Sequence, residues 1–208
     1  MSYFPFFKEI EGASSLIVGG GRVALRKAEK LLPYGPRLTV IAPEFLPEFR
    51  EMDVTLVKRR FHNFDITPNL EFVIAASDDE KQNEQIYLLC REQNIPVNVV
   101  DKPEYCTFIF PALVKKGNLS VGVSTSGASP SAAVWLKEEI EEILPNNIEE
   151  ILEWLHAQRV IVKGQIEAEE ARSRCLKRLF QLCMEEGAPL SDEQRNQVIG
   201  MERSRYEK

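Results

Sequence analysis

Residues 16–24 read LIVGGGRVA. Leu16, Ile17 and Val18 form a short apolar run of the kind that becomes a buried strand, and it leads straight into three glycines. Arg22-Val23-Ala24 then opens a helix. Gly19, Gly21 and Ala24 fit the G-x-G-x-x-[G/A] spacing of a dinucleotide-binding turn. Gly19 permits a tight turn that a Cβ would obstruct. Gly21 lets the main chain approach a pyrophosphate closely. Ala24 is small enough for the helix to lie against the strand. The free N–H groups and the positive dipole end of that helix face the phosphates.

The pattern around this stretch extends it into a βαβ unit. The helix runs from about Arg22 to Leu32, with Ala24, Ala28, Leu31 and Leu32 on its apolar side, and Pro33 with Gly35 ends it. Arg37–Ile41 is a second strand, so the sheet is expected to be parallel. This strand ends in Ala42-Pro43-Glu44. An acid at such a strand end can bond ribose hydroxyls, but Glu44 sits slightly late. Main-chain groups at Ala42 and Pro43 contacting the adenosine, and a helix-start carboxylate at Glu44, both remain open.

Further along, Val54–Lys58 is a weak third strand, and Lys58-Arg59-Arg60 reads as a solvated strand end. Phe72–Ala76 is a buried strand. Ser77-Asp78-Asp79-Glu80 starts a helix that carries Ile86, Leu89 and Cys90 on one side and runs to about Gln93. Pro96–Val100 is another strand, ending in Asp101-Lys102-Pro103. Alternation of this kind defines a Rossmann-type doubly wound α/β domain over residues 1–112.

Beyond it the pattern changes. Thr107–Leu113 and Leu119–Ser124 read as strands, and Thr125–Ala128 as a small-residue turn. Ser129 is an N-cap with Pro130 at the first helical position, and that helix runs to Leu144 before Pro145. Residues 113–145 thus form a small α+β segment. Residues 146–208 show only helical periodicity. Leu152, Leu155, Ile161, Val162 and Ile166 mark one apolar side, and Leu176, Leu179, Phe180 and Cys183 another. Ser191 with Gln194 resembles a capping box.

Composition excludes several classes. The chain has 208 residues, a net charge of −6 and a pI near 5.2, and no basic footprint for nucleic acid is visible. No apolar run reaches the roughly 18 residues of a membrane span. The start MSYFPFFKEIEG lacks the basic region and long apolar core of a signal peptide, so the cytoplasm is the expected location. Cys90, Cys106, Cys175 and Cys183 lack C-x-x-C spacing and read as reduced, packed thiols. His62 and His156 show no metal-ligand spacing, and Glu138, Glu139, Glu141 and Glu142 read as a solvated helix face. No metal site is expected.

Five stretches, taken in order, carry a family resemblance: FPFF near the start, LIVGGGRVALRKAEKLL, VIAASDD, NVVDKPEYCTFIFPALV and LSVGVSTSGASPSAAVWLKEEIE. Over about residues 3–145 the chain resembles the precorrin-2 dehydrogenase family, which includes stand-alone bacterial enzymes and the amino-terminal module of sirohaem synthase. The resemblance implies NAD-dependent oxidation of precorrin-2 to sirohydrochlorin, on the route to sirohaem or cobalamin. It also implies a homodimer built by exchanging the segment after the nucleotide domain. Some members of the family also insert ferrous iron into sirohydrochlorin, so a bifunctional dehydrogenase and ferrochelatase is the nearest rival. A non-catalytic NAD-sensing module is the rival from another class.

In a doubly wound sheet, ligands sit outside the carboxyl ends of the strands. The candidate cofactor residues are Gly19, Gly20, Gly21, Arg22, Val23, Ala42, Pro43, Ala75, Ala76 and Ser77. Asp101 follows a strand end directly, and the matching aspartate of the family is its proposed general base. An Asx-type turn before Pro103 is the alternative for this residue. Thr125, Ser126 and Gly127 lie before a helix N-terminus and either receive a substrate carboxylate or form a plain turn and cap. In the family the matching turn carries a serine linked to regulation by phosphorylation, and Thr125 stands there in this chain. Lys102, with Arg22, Lys115 and Lys116, is a further candidate carboxylate partner.

Overall fold

The computed structural model describes residues 3–206. One compact unit ends at Phe110 and a second begins at Pro111. The first contains β1 (Ser14–Val18), α1 (Arg22–Leu31), β2 (Arg37–Ala42), β3 (Thr55–Lys58), β4 (Phe72–Ala75), α2 (Glu80–Glu92) and β5 (Val97–Val99). The five strands pair in parallel in the order β3-β2-β1-β4-β5. This is the expected Rossmann-type sheet. Strand order reverses between β1 and β4, and a ligand crevice lies at the carboxyl ends of such neighbours.

Side-chain alternation explains why the short apolar runs become central strands. Ile17, Val40 and Ile74 enter one core with Ala24, Leu25, Ala28 and Leu31 of α1. Leu16, Val18, Val73 and Ala75 enter the opposite core with Ile86 and Cys90 of α2. Both faces are covered, so nearly every residue of β1 and β4 is apolar. Asp79 caps α2 by accepting from the N–H groups of Lys81 and Gln82 at 3.0 and 3.1 Å. The crossover from β2 to β3 holds only the 3₁₀ turn Pro47–Glu51. Its Phe49 fills the α1-side core with no exposed surface.

The expected strand over Thr107–Leu113 is a correction. The ladder begins only at Ala112, and residues 107–111 are irregular. They nonetheless run along the outer edge of β5. Thr107 donates its N–H to the Val97 carbonyl at 2.9 Å, and its Oγ1 accepts from the Val97 N–H at 2.8 Å. The Cys106 thiol donates to the Val99 carbonyl at 3.2 Å and accepts from the Val99 N–H at 3.3 Å. Side-chain groups thus replace the ladder. Phe108 and Phe110, two residues apart, both pack into the α1-side core, as strand-like alternation would place them. Asn98, buried in β5, donates to the Phe108 carbonyl at 3.0 Å and pins the segment there.

The second unit pairs β6 (Ala112–Lys116) and β7 (Leu119–Val123) in an antiparallel hairpin, with α3 (Pro130–Ile143) against both strands. Ser129 caps α3 through the Ala132 N–H at 3.2 Å, with Pro130 in the first turn. α4 (Ile148–Gln165), α5 (Glu169–Glu186) and α6 (Asp192–Tyr206) share a core of their own. The expected apolar sides pack there: Leu155, Ile161, Val162 and Ile166, and Leu176, Leu179 and Cys183, lie in or against that core, and only Leu152 and Phe180 do not. Ile151 is fully buried in that core, whereas Leu152 lies a position away from it. Phe180 is 41% exposed, and Ala171, Cys175, Leu179 and Cys183 form the inward stripe of α5. Spacings of four residues place the stripe on one helix face. The capping box is present: Gln194 donates its N–H to Ser191 Oγ at 3.2 Å, and Ser191 donates its N–H to Gln194 Oε1 at 2.9 Å.

All four cysteines are free thiols. Burial pushes Cys90 up to about 12 and Cys175 up to about 11, so both stay protonated. Among the described residues no helix is long and apolar enough to cross a membrane.

Phe49→Ala is expected to cost about 3–5 kcal/mol, the usual range for emptying a fully buried phenylalanine site. Urea unfolding followed by circular dichroism measures it, and a loss below about 1 kcal/mol would mean that the 3₁₀ turn collapses into the space.

Candidate active site

The glycine turn sits at the carboxyl end of β1, and each glycine there has a different reason to be one. Gly19 has φ +134°, and a Cβ on it would stand 2.2 Å from the Ala76 carbonyl oxygen. It is needed for the turn itself and for the approach of the chain leaving β4. A Cβ on Gly20 would lie 2.0 Å from the Glu44 carbonyl oxygen. The Gly20 carbonyl also accepts the Leu46 N–H at 3.0 Å, so the segment after β2 is fastened to the turn. Gly21 differs from both, because a Cβ there would meet nothing within 4 Å. The space over Gly21 is open, as a phosphate cradle requires.

The first turn of α1 completes that cradle. The leading amides of any helix lack intrahelical acceptors. In α1 no side chain caps them, and the first turn has no acidic residue. Every other described α-helix has one or the other: Asp79 at α2, Ser129 at α3, Glu149 and Glu150 at α4, Glu169 and Glu170 at α5, and Ser191 with Asp192 at α6. The α1 end carries Arg22 and Val23, both exposed, and keeps its donors and its positive dipole end for an anion. The residues present therefore fit a dinucleotide pyrophosphate.

The remaining cofactor candidates line the same sheet end. Ala42 ends β2 and Pro43 is exposed directly after it. Glu44 is exposed and caps no helix; the acid in the first turn of the following 3₁₀ helix is Glu48. Ala75 and Ala76 follow β4 beside Gly19. Ser77 is held by a residue that sequence reading missed. Asn83 of α2 accepts the Ser77 hydroxyl at 2.7 Å and its N–H at 3.2 Å, and donates to its carbonyl at 2.8 Å. The signal was a polar residue in register with Ile86 and Cys90 on the buried side of α2.

Asp101 lies just past β5 in the left-handed region, at φ +59°. Its carboxylate is exposed, and among the described residues it accepts no hydrogen bond from the turn before Pro103, so the Asx-turn alternative is not formed. Lys102 makes an ion pair with Glu80 at 3.5 Å. Lys27 of α1 holds its ammonium 3.8 Å from the centroid of the Phe110 ring. Burial, and then Lys30, push Lys27 down to about 8, while Cys106 and Asp101 act in the opposite sense. Sequence reading passed over Lys27 as one more charge on a helix, because its ring partner is 83 positions away along the chain.

Arg59 is not free in solvent as its cluster suggested. It makes a two-pronged ion pair with Asp65, at 2.8 and 2.6 Å, and Asp65 also accepts the His62 N–H at 2.8 Å. That cation ties the end of β3 to the next turn. In the second unit, the Thr125 hydroxyl accepts the Ser129 N–H at 3.1 Å and donates to the Ser129 carbonyl at 3.0 Å. Ser126 and Gly127 adopt φ of +52° and +87°, and the Ser126 N–H donates to Ser124 Oγ at 3.1 Å. This turn is satisfied from within.

A parallel sheet with its order reversed between β1 and β4, a glycine turn at that point and a bare helix N-terminus over it define a dinucleotide-binding α/β protein. Residues 6–112 match a family model described as "Putative NAD(P)-binding", and residues 116–143 match one described as "Sirohaem biosynthesis protein central". The chain belongs to this NAD(P)-binding family, and its cofactor is NAD(P). It is 37% identical over 185 residues to a siroheme synthase of Thioalkalivibrio sulfidiphilus, covering 87% of this chain and 38% of that protein. To siroheme synthase 2 of Aeromonas hydrophila it is 35% identical over 182 residues, covering 86% and 38%. The chain thus spans less than two-fifths of the length of these curated relatives. Its fold matches that of SirC, precorrin-2 dehydrogenase, with a TM-score of 0.69 and 21% identity, covering 97% of this chain and all of that one.

The glycines separate experimentally. Gly21→Val is expected to weaken NAD binding about tenfold or more by filling the anion cradle, with the urea midpoint nearly unchanged. Gly19→Ala is expected to cost more than about 2 kcal/mol of stability, since it adds left-handed strain to a backbone clash. Calorimetric titration and urea unfolding read the two. Unaltered NAD affinity in Gly21→Val would refute the cradle.

Proposed function

We propose that the chain is an NAD-dependent precorrin-2 dehydrogenase, converting precorrin-2 to sirohydrochlorin on the route to sirohaem or cobalamin. The observation that carries this reading is the exposed carboxylate of Asp101 at the carboxyl end of β5, in the same sheet whose β1 end holds the open phosphate cradle. The names of the relatives and of the fold neighbour support the choice of substrate.

The reaction removes two hydrogens from a reduced macrocycle. One C–H bond breaks with its electron pair leaving as hydride, the other hydrogen leaves as a proton, and a new double bond joins the ring conjugation. NAD, when bound, supplies the hydride acceptor. Gly19, Gly20 and Gly21 with the amides of Arg22 and Val23 hold the diphosphate. Ala42 and Pro43 bound the adenosine side, and Ala75, Ala76 and Ser77 the crevice beside β1. Asp101 is the catalytic base that accepts the proton. Lys102, on releasing Glu80, receives a carboxylate of the substrate.

We further infer a homodimer in the cytoplasm, with residues 113–145 as the dimerisation segment after the nucleotide domain (1–112) and before the helical part (146–208). α3 supports this. Trp135, Val134, Leu136 and Ile143 are exposed on it, a concentration of apolar surface that a partner chain would cover. The acidic charge fits a protein that does not engage nucleic acid.

Incubation with precorrin-2 and NAD should yield NADH and sirohydrochlorin one for one. Cofactor binding without turnover would overturn the enzyme reading. Asp101→Ala should keep NAD affinity and lose about 100-fold or more in kcat, the low end of what a positioned base contributes; full activity would remove Asp101 from the reaction. Trp135→Glu should convert a dimer to monomers in sedimentation analysis, and an unshifted mass would move the contact off α3.

A further inference from the structure

The buried side of α2 carries one amide. Asn83 shares that side with Ile86 and Cys90 and is 7% exposed. A buried amide is costly unless it is hydrogen-bonded. Among the described residues, all its side-chain bonds go to Ser77. The Asn83 Oδ1 accepts the Ser77 hydroxyl at 2.7 Å and the Ser77 N–H at 3.2 Å, and Nδ2 donates to the Ser77 carbonyl at 2.8 Å. Every polar group of Ser77, two of them main-chain, is thus engaged by one side chain.

Helix capping does not account for Asn83. Asp79 already caps α2 through the N–H groups of Lys81 and Gln82. The sheet, in turn, lets go of the chain just before Ser77. The Ala75 carbonyl accepts the Val100 N–H at 3.0 Å, and the Ala76 N–H donates to the Val18 carbonyl at 2.8 Å. Ser77 is the next residue, and it is held from α2 instead. Its nitrogen lies 3.2 Å from where a Cβ on Gly19 would stand. It therefore borders the glycine turn at the point where strand order reverses, which is where such sheets open a ligand crevice.

We propose that Asn83 is a positioning residue for NAD: its buried amide holds the Ser77 main chain as the wall of the cofactor crevice that faces the glycine turn. The inference rests on the reading of Ala75, Ala76 and Ser77 as that crevice, and adds the residue that fixes its wall. Asn83 acts through Ser77 and touches no cofactor atom. Both halves of the amide are needed. A carboxylate at this position would put an anionic oxygen where Nδ2 now stands, 2.8 Å from the Ser77 carbonyl.

Asn83→Leu continues the apolar side of α2 and removes all three bonds. Calorimetric titration of the folded variant should show NAD affinity lower by about tenfold. In turnover, KM for NAD should rise about as much, with kcat within about twofold of the parent. A residue needed only for stability would lower the folded fraction and leave the affinity of the folded protein alone. Parent NAD affinity in folded Asn83→Leu overturns the proposal.

Asn83→Asp keeps the shape and makes the loss reversible. Its carboxylate cannot donate to the Ser77 carbonyl, whereas its protonated form can. Burial raises the pKa of a carboxyl group. NAD affinity of this variant should be low at about pH 8 and recover toward the parent value as pH falls to about 5. The charged residues next to it along the chain, Asp78, Asp79 and Glu80, are common to both proteins, so the difference between the two profiles reports residue 83. Parallel profiles overturn the proposal.

A third measurement uses the unaltered chain. The side-chain amide protons of Asn83 should exchange slowly with solvent, and saturating NAD should shift their NMR resonances and slow the exchange further. Resonances that ignore bound NAD overturn the proposal even if neither variant folds. A chain that binds NAD, shows these responses and never oxidises precorrin-2 overturns the dehydrogenase reading and leaves the role of Asn83 standing. Turnover with parent NAD affinity in the folded variants does the opposite.

Discussion

The structure depends on a missing atom. At Gly19 the main chain leaving β1 passes so close to the Ala76 carbonyl that a Cβ would sit 2.2 Å from its oxygen. No rotamer relieves such a contact, because both partners are backbone. The ends of β1 and β4 can draw together only if residue 19 is glycine, and the left-handed φ there points to the same residue independently. Everything at the carboxyl edge of the sheet is hung from this approach. It sets the direction in which α1 departs, and with it the orphan amides aimed over Gly21. Gly20 repeats the device against the Glu44 carbonyl, so the segment after β2 is drawn in by the same turn.

The three glycines are thus not equivalent, although the motif writes two of them alike. Gly19 and Gly20 serve the protein's own packing, and Gly21 does not. Only the last has open space where its side chain would be. The motif's variable position, Gly20, turns out to be constrained here by a contact with a loop 24 residues on, and nothing in the spacing of the fingerprint itself discloses that.

Legibility followed the range of the interactions. The strands were readable because both faces of the sheet are covered, which leaves continuous apolar runs such as Phe72–Ala75. Caps at Asp79, Ser129 and Ser191 were readable because a cap is local, made within three residues. The segment over 107–111 looked like a strand for a sound reason, since it does run beside β5, but its bonds are made by a hydroxyl and a thiol. Helical periodicity found the inward side of α4 except at its start, where Ile151 rather than Leu152 is buried, because the two are equally apolar and only the partner helices choose between them. Asn83 and Lys27 were the least legible. Asn83 draws its meaning from the loop just before its helix, Lys27 from a ring 83 positions on, and alone in sequence each is an ordinary polar residue on a helix.

The segment from Asp101 to Phe110 shows why a site of this kind needs so few dedicated residues. β5 is an edge strand, and an open edge exposes unpaired N–H and C=O groups. Cys106 and Thr107 satisfy those of Val97 and Val99 with side-chain atoms, which leaves the segment free to deviate from a ladder. Phe108 and Phe110, two residues apart, fall on the α1 side together, and the second ring lies under the ammonium of Lys27. The segment leaves the sheet at Asp101, whose left-handed φ turns the chain. Edge protection and the placing of a carboxylate at the sheet end therefore come from the same short segment.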